Sequence, residues 1–220
     1  MKRLLFALAL IILITACSTE DKMSKVTLAT EDNVKISADF VKGNDQGIIL
    51  LHMLGNDKSS WQDFKPKVYT TIAIDFRGHG DSELNMVKFT DNDWKNLQLD
   101  VKAAADYLKS KKVKEIYIIG ASIGANTAIN YAATDSSVKG VALLSPGMNY
   151  HNILVSDAIA KYNGKILLVA SKGDKYSFDS VTKMKGINPK AELITYNGDA
   201  HGTDMFAVNP LEEELLNWVQ

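Results

Sequence analysis

Cysteine is nearly absent from this sequence, since Cys17 is the only one among the 220 residues. A single thiol cannot form a disulfide within the chain, so this cysteine needs another explanation. Metal-ligand constellations are lacking as well, because the four histidines fall in separate loops and no second cysteine accompanies them. The sequence therefore predicts neither a disulfide nor a metal site.

An excess of charge of one sign is also missing. The chain has 25 basic and 26 acidic side chains, and loss of residues 1–16, which hold Lys2 and Arg3, leaves 23 basic side chains against the same 26. Such a balance lacks the electrostatic footprint of nucleic-acid binding. Internal repeats, low-complexity tracts and a second linker are absent too, which indicates one domain with a sizeable core.

No apolar run is long enough to cross a bilayer as a helix. The run over residues 4–14 is shorter than the ~20 residues required, and a polar segment follows it at once. With Lys2 and Arg3 before it and small residues after it, this run is typical of a secretory signal. We expect cleavage and export rather than a retained membrane-spanning helix.

Residues 14–17, Ile-Thr-Ala-Cys, resemble a bacterial lipobox, in which the cysteine is acylated and becomes the first residue of the mature chain. The resemblance implies a signal peptide over 1–16, a polar tether over 17–24 and a domain over 25–220. It also implies a protein anchored through Cys17 at a membrane of the cell envelope, since acyl chains bind bilayers. The alternative is an ordinary secretory signal with an incidental cysteine.

Two kinds of strand pattern follow the tether. Alternating stretches at 25–30 and 33–41 predict an antiparallel hairpin with one buried face. The later runs are continuously apolar, as in strands covered on both faces, and lie at 47–53, 71–76, 115–120, 138–145, 165–171 and 191–196. Helical patterns separate them, at 91–110, 124–133, near 156–162, near 178–185 and at 204–218. The fold class is therefore α/β, with a mostly parallel sheet and helices on both faces.

Ser122 lies where one of these strands meets a helix, in the glycine-rich stretch 120–125, Gly-Ala-Ser-Ile-Gly-Ala. A serine in such a turn presents its hydroxyl at the carboxyl end of the sheet, where ligands bind, and needs small neighbours because the helix passes close by. The stretch superficially resembles a dinucleotide-binding turn, but its spacing is wrong and no ribose-binding acid follows. We predict a nucleophile at Ser122 and no cofactor; an ordinary turn hydroxyl is the alternative.

A serine nucleophile needs a base, and His201 is the favoured histidine because it lies between the last strand and the last helix. His52 and His79 are interpreted as structural. For His151, substrate contact and a solvated loop stay open as alternatives.

The base needs an acid that orients it. Asp174, at the end of the strand over 165–171, is favoured over Asp179 and Asp199. The end of the preceding strand, residues 145–149, contains no carboxylate. The resulting order, Ser122, Asp174, His201, differs from the orders in chymotrypsin-like and subtilisin-like proteases.

These motifs resemble the α/β-hydrolase superfamily, and the likeness covers the chain from about residue 25 to its end. They are the elbow at 120–124, the turn at 75–82 (DFRGHGDS), the pair 173–174 and the loop 200–202. The resemblance is to small esterases and dienelactone hydrolases without a large cap. Many relatives insert a cap between the two strands that only residues 146–164 separate here.

The resemblance also implies an oxyanion hole formed by the backbone N–H groups of Ile123 and Leu54. Many members have glycine directly after the histidine that corresponds to His52, and this chain has Met53. The sequence departs from the pattern at this loop, although Gly55 follows closely.

An open, shallow site is expected to be lined by a small set of apolar and polar side chains: Met53, Leu54, Trp61, Met148, Tyr150 and His151. For Trp61 and Tyr150, partial burial in the core is an equal alternative. The function predicted is a serine hydrolase that cleaves small or medium carboxylic esters through an acyl-enzyme. Thioesterase, amidase or peptidase, and deacetylase of envelope sugars are alternatives within the class, and a binding module without turnover is the alternative outside it.

Overall fold

A computed structural model describes residues 23–220 of the chain. The predicted signal peptide, Cys17 and most of the predicted tether lie outside these residues. Within the described part, no helix is both long enough and apolar enough to span a membrane.

One eight-stranded sheet organises the structure. Its strands are β1 (Ser24–Ala29), β2 (Lys35–Val41), β3 (Gln46–Leu51), β4 (Thr70–Ile74), β5 (Glu115–Ala121), β6 (Val138–Leu144), β9 (Lys165–Ser171) and β10 (Glu192–Tyr196), while β7 and β8 form a separate hairpin. The strands lie in the order β1-β2-β4-β3-β5-β6-β9-β10. β1 pairs antiparallel with β2 and β2 antiparallel with β4, whereas the six strands from β4 to β10 in this order are parallel to one another. The expected α/β-hydrolase fold with an N-terminal antiparallel hairpin is confirmed.

The burial of each strand follows its place in the sheet. Central strands β3, β4, β5 and β6 are buried almost throughout, as their continuous apolar runs predict. β2 alternates buried and partly exposed residues. β10 is exposed at its first two residues and partly buried at the next two, because it forms one edge of the sheet.

Residues 23–220 contain six α-helices, and two of the predicted helices are divided. Asn96 ends one helix and begins the next, so the helix expected over 91–110 is two. The helix expected over 204–218 is a 3-10 helix (Gly202–Ala207) followed by an α-helix that begins after Pro210, whose ring cannot donate a backbone hydrogen bond. The helices are α1 (Asp91–Lys95), α2 (Leu97–Ser110), α3 (Ile123–Ala132), α4 (Ser156–Lys161), α5 (Lys175–Ile187) and α6 (Leu211–Val219).

The two faces of the sheet carry separate hydrophobic clusters. On β5, Ile116 and Ile118 face the cluster formed with α2, α3, α4 and α5, whereas Tyr117 and Ile119 face the cluster formed with α6 and the segment containing Trp61. Side chains alternate between the faces of a strand, so an apolar run on β5 serves both clusters. Helices therefore cover both faces, as predicted.

Residues 146–164 contain no cap domain. They form a small hairpin, β7 (Asn149–Tyr150) and β8 (Ile153–Leu154), followed by α4. His151 and Asn152 both have positive φ, 46° and 62°, which is the backbone of a tight two-residue hairpin turn. The amide of Asn126 on α3 donates to the Ile153 carbonyl and accepts from the Gly147 N–H, so the hairpin is attached to α3.

Candidate active site

Ser122 stands between β5 and α3 in a backbone conformation that few residues adopt. Its φ is 55° and its ψ is −116°, and such strain costs on the order of 1–3 kcal/mol. A Cβ on Gly120 would overlap the backbone of Gly124, and a Cβ on Gly124 would lie 2.6 Å from the Leu51 carbonyl oxygen. The glycines therefore allow the sharp turn and the close approach of α3 to β3, as the elbow pattern predicts.

His201 and Asp174 form a direct hydrogen bond. His201 Nδ1 lies 2.6 Å from Asp174 Oδ2, a length typical of a strong, charge-assisted bond. The Asp174 side chain is 14% exposed and that of His201 is 32% exposed. Because a carboxylate only accepts, Nδ1 carries the proton and Nε2 is left free to accept one.

Two serines at strand ends hold the loop that contains His201. Ser145 Oγ accepts a hydrogen bond of 2.9 Å from the Gly202 N–H, and Ser171 Oγ donates one of 2.7 Å to the Ala200 carbonyl. A Cβ on Gly202 would lie 3.3 Å from the Cβ of Ala121, the residue before Ser122. The loop of His201 thus rests directly against the elbow.

The other two acids considered from the sequence are not bonded to His201. Asp179 is a helical residue on α5 and pairs with Lys175 at 2.5 Å. Asp199 is exposed. The structure therefore brings Asp174 to His201 and leaves the other two carboxylates outside this hydrogen bond.

His52 is a buried structural histidine. Its Nε2 accepts a hydrogen bond of 3.0 Å from the Phe76 N–H, which leaves Nδ1 protonated and donating to the Met53 carbonyl at 2.8 Å. Burial lowers the pKa of His52 to about 4. The ring is therefore neutral near pH 7 and joins the end of β3 to the residues after β4.

The loop after His52 contains a tight turn. The Asn56 N–H donates to the Met53 carbonyl, and Gly55 has a φ of 78°. Within the described residues, the backbone N–H groups of Leu54 and Ile123 donate to no protein acceptor. These are the two donors that the family resemblance implies for an oxyanion hole.

Sequence reasoning missed the side chain that fixes this loop at its far end. Lys58, 8% exposed, donates through its backbone N–H to Asp75 Oδ1 at 2.7 Å and through Nζ to Asp75 Oδ2 at 2.6 Å. Asp75 is completely buried. No sequence pattern marks the pairing, because the residues are 17 positions apart and a lysine in a polar stretch is normally exposed.

Tyr150 and Met148, two of the residues predicted to line the site, both contact α5. The Tyr150 hydroxyl is 3.3 Å from Ser177 Oγ. Burial raises the pKa of Tyr150, and the neighbouring hydroxyls of Ser177 and Ser122 act in the opposite direction. The Met148 N–H donates to Ser180 Oγ on α5. A protonated Tyr150 hydroxyl therefore stands beside Ser122.

Trp61 and His151, both predicted to line the site, have different surroundings. Trp61 is 3% exposed and its ring contacts Phe64 and Phe206 at centroid distances of 6.4 and 5.9 Å, so it belongs to the core rather than to the site surface. His151 stacks flat on Trp94 at 4.0 Å while its other face is exposed. For Trp61, burial favours the core alternative that the sequence left open.

Met53 is partly buried against the loop of His201. A Cβ on Gly202 would lie 2.9 Å from the Met53 sulfur, so the methionine side chain covers the glycine beside the histidine. Leu54 is 40% exposed and remains available to contact a ligand. Two surface cavities of about 430 and 620 Å³ lie elsewhere, and Ser122, Asp174 and His201 line neither.

The fold and the elbow geometry together define an α/β-hydrolase of the serine type. Residues 57–186, more than half of the chain, match the family described as serine aminopeptidase S33, and the chain belongs to this family.

Solved structures of esterases share the fold. The esterase Pf2001 of Pyrococcus furiosus superposes with a TM-score of 0.74 at 24% identity, covering 90% of each chain. An esterase from Exiguobacterium antarcticum gives a TM-score of 0.74 at 16% identity, covering 89% of this chain and 99% of its own. At these identities the likeness establishes the fold.

Among curated proteins, a Mycoplasma pneumoniae protein predicted to be an esterase or lipase is 29% identical over 113 residues, which cover 49% of this chain. The match spans 40% of that relative's length. The chain thus spans well under two thirds of this larger relative.

Proposed function

We propose that this protein is a serine hydrolase that cleaves carboxylic esters of small or medium acyl groups. The observation that carries the proposal is the 2.6 Å hydrogen bond from His201 to Asp174, on a loop that rests against the Ser122 elbow. Membership of a serine hydrolase family and the fold shared with esterases support it. Ser122 is the nucleophile, His201 the general base and Asp174 the residue that orients His201.

In acylation, Ser122 Oγ attacks the ester carbonyl carbon while its proton passes to His201 Nε2. The carbonyl oxygen becomes an oxyanion that accepts hydrogen bonds from the Leu54 and Ile123 N–H groups. When the intermediate collapses, the bond between the carbonyl carbon and the alcohol oxygen breaks. His201 gives the proton to that oxygen, and the alcohol leaves.

Deacylation repeats these steps with water. His201 takes a proton from a water molecule, whose oxygen attacks the acyl carbon on Ser122. The second oxyanion accepts hydrogen bonds from the same two N–H groups. The bond to Ser122 Oγ breaks, Oγ recovers a proton from His201, and the carboxylic acid is released.

The shape of the site supports esters with modest acyl groups. Exposed Leu54 and the half-buried Met148 and Tyr150 give an apolar border with one hydroxyl donor. With only a hairpin and α4 over residues 146–164, we infer an open site that admits varied leaving groups. Thioesters, amides of amino-terminal residues and acetylated envelope sugars are the substrates to compare with esters.

Hydrolysis of p-nitrophenyl esters from acetate to laurate tests the proposal, alongside an aminoacyl p-nitroanilide and an acyl thioester. We expect turnover of the short and medium esters, labelling of the protein by a fluorophosphonate probe, and loss of both in Ser122→Ala. Ser136→Ala, at an exposed serine, is the matched control and keeps full activity. A protein that neither turns over these substrates nor reacts with the probe is a binding module instead.

We further propose that the protein is exported and held at a cell-envelope membrane through acylated Cys17. Support comes from the sequence of residues 1–17 alone, since these residues lie outside the described structure. Anchoring places the hydrolase at a surface where esters of apolar acids partition.

A further inference from the structure

We propose that Lys58 is a positioning residue that sets the oxyanion hole by fastening the Leu54 loop to Asp75. The proposal rests on the proposed function, because an oxyanion forms only if Ser122 attacks a carbonyl group. Many relatives have a glycine where this chain has Met53, and here the attachment through Lys58 sets the conformation of the loop instead.

The attachment is bidentate and buried. One carboxylate, Asp75, accepts two hydrogen bonds from Lys58, one from the backbone at 2.7 Å and one from Nζ at 2.6 Å. The backbone bond fixes the course of the main chain only four residues after Leu54, whose N–H is an oxyanion donor. A carboxylate that accepts from both the main chain and the side chain of one residue holds its position and its orientation together.

Asp75 is itself held rigidly. It accepts a third hydrogen bond, of 2.8 Å, from the Asp81 N–H, and its backbone carbonyl accepts from Ser82 Oγ at 2.7 Å. A Cβ on Gly80 would overlap the Asp75 carboxylate, so the turn closes tightly around it. Lys58 is therefore fastened to a fixed point at the end of β4.

The other end of the loop is fastened to the same place. His52 Nε2 accepts from the Phe76 N–H, and His52 Nδ1 donates to the Met53 carbonyl. Residues 53–57 thus run between two attachments to neighbouring residues, Asp75 and Phe76. Between those attachments the chain turns at Gly55, and the Leu54 N–H donates to no protein acceptor within the described residues, so an oxyanion can use it.

Charge explains why Lys58 in particular serves this role. Its Nζ also lies 3.1 Å from Asp81 Oδ2, so one ammonium faces two carboxylates. Burial acts to lower the pKa of Lys58, but the hydrogen bonds to Asp75 and Asp81 outweigh it and raise the pKa. The ammonium stays charged, and removing it leaves the fully buried Asp75 carboxylate without its counterion.

Three variants separate positioning from stability. Lys58→Met removes the ammonium and leaves Asp75 charged, whereas Lys58→Met combined with Asp75→Asn removes both charges. Lys67→Met, at an exposed lysine on the same connection, is the matched control. For each, the turnover number and KM are measured with p-nitrophenyl butyrate. The melting temperature and the inhibition constant of an aryl trifluoromethyl ketone, whose adduct with serine carries an oxyanion, complete the set.

We expect Lys58→Met to lower the turnover number by ~10–10² while KM changes less than about threefold. A displaced Leu54 N–H stabilises the oxyanion of the transition state less, whereas substrate binding in the ground state does not depend on it. Trifluoromethyl ketone inhibition should weaken by a similar factor. The double variant should regain melting temperature without regaining turnover. It also keeps the test available if Lys58→Met does not fold.

Three results would overturn the proposal: wild-type turnover in Lys58→Met, recovery of turnover together with melting temperature in the double variant, or unchanged ketone inhibition in variants with low turnover. Any of these results would show that Lys58 stabilises the fold through its ion pair with Asp75 and does not position the oxyanion donor. Failure of the proposed function is distinguishable, since the wild-type protein would then neither hydrolyse the ester nor bind the ketone at Ser122.

Discussion

Replacing Asp174 by asparagine isolates the contribution of the acid to the proposed triad. The substitution is nearly isosteric, so the loops that carry residues 174 and 201 should keep their places. The Asp174 side chain accepts at 2.6 Å from His201 Nδ1, and an asparagine there offers either a weaker carbonyl acceptor or an NH₂ donor. A donor at this position forces the ring proton to Nε2, which then cannot accept the proton of Ser122.

The magnitude follows from these two effects. Loss of a charged hydrogen bond to an imidazolium costs ~1.5–3 kcal/mol, or about 10–10² in rate. The wrong tautomer adds to this, and the equivalent change in a serine protease triad lowers turnover by about 10⁴. Since the His201 side chain is 32% exposed, solvent replaces part of the lost stabilisation. We expect a loss of ~10²–10⁴ in turnover number, with KM nearly unchanged.

The assay is steady-state hydrolysis of one activated ester by Asp174→Asn, Asp179→Asn and Asp199→Asn. The last two serve as controls, because Asp179 pairs with Lys175 and Asp199 is exposed, and each should lose less than about tenfold, well short of triad effects. A larger loss at either control than at Asp174 would refute the assignment of the acid.

Three further predictions concern the elbow, the buried histidine and the anchor. Gly124→Ala should destabilise the protein by several kcal/mol and lower its soluble yield, because the new Cβ would lie 2.6 Å from the Leu51 carbonyl oxygen; an unchanged melting temperature would show that α3 can move away. The His52 pKa of about 4 lies below the value near 6.5 of the unfolded chain, so the unfolded state binds more protons and stability falls as pH drops from 6.5 towards 4. Relative to His52→Gln, the wild type should lose about 3 kcal/mol of unfolding free energy over that range, measured by urea titration, and parallel curves would contradict the burial argument. Cys17→Ser should abolish incorporation of a labelled fatty acid and release the protein from the membrane fraction, and labelling that persists in this variant would exclude the lipobox.

The sequence by itself determined the layers of the fold. Continuous apolar runs predicted the buried strands, and the alternating stretches predicted the antiparallel hairpin, because burial on one or two faces sets the pattern. The boundaries of the elements were predicted less accurately. The expected helix over 204–218 is interrupted before Leu211, and Pro210 is the residue that indicates this break.

The sequence also predicted the contact between His201 and Asp174. Ser122, Asp174 and His201 each follow a strand, and parallel strands bring their carboxyl ends to one edge of a sheet. For that reason the contact between His201 and Asp174 could be predicted without coordinates. The role of the elbow glycines could be predicted too, because a sharp strand-to-helix turn requires small residues.

Only the tertiary structure showed the burial and the partners of side chains that belong to no helical or strand pattern. Trp61 lies in the core because Phe64 and Phe206 surround it, and that arrangement depends on a contact between distant segments. The pairing of Lys58 with Asp75 depends likewise on how the Leu54 loop crosses the end of β4. Local patterns record which face of a strand or helix is buried, whereas the partner of a buried charge is set by the packing of the whole chain, and there the sequence alone has no signal to offer.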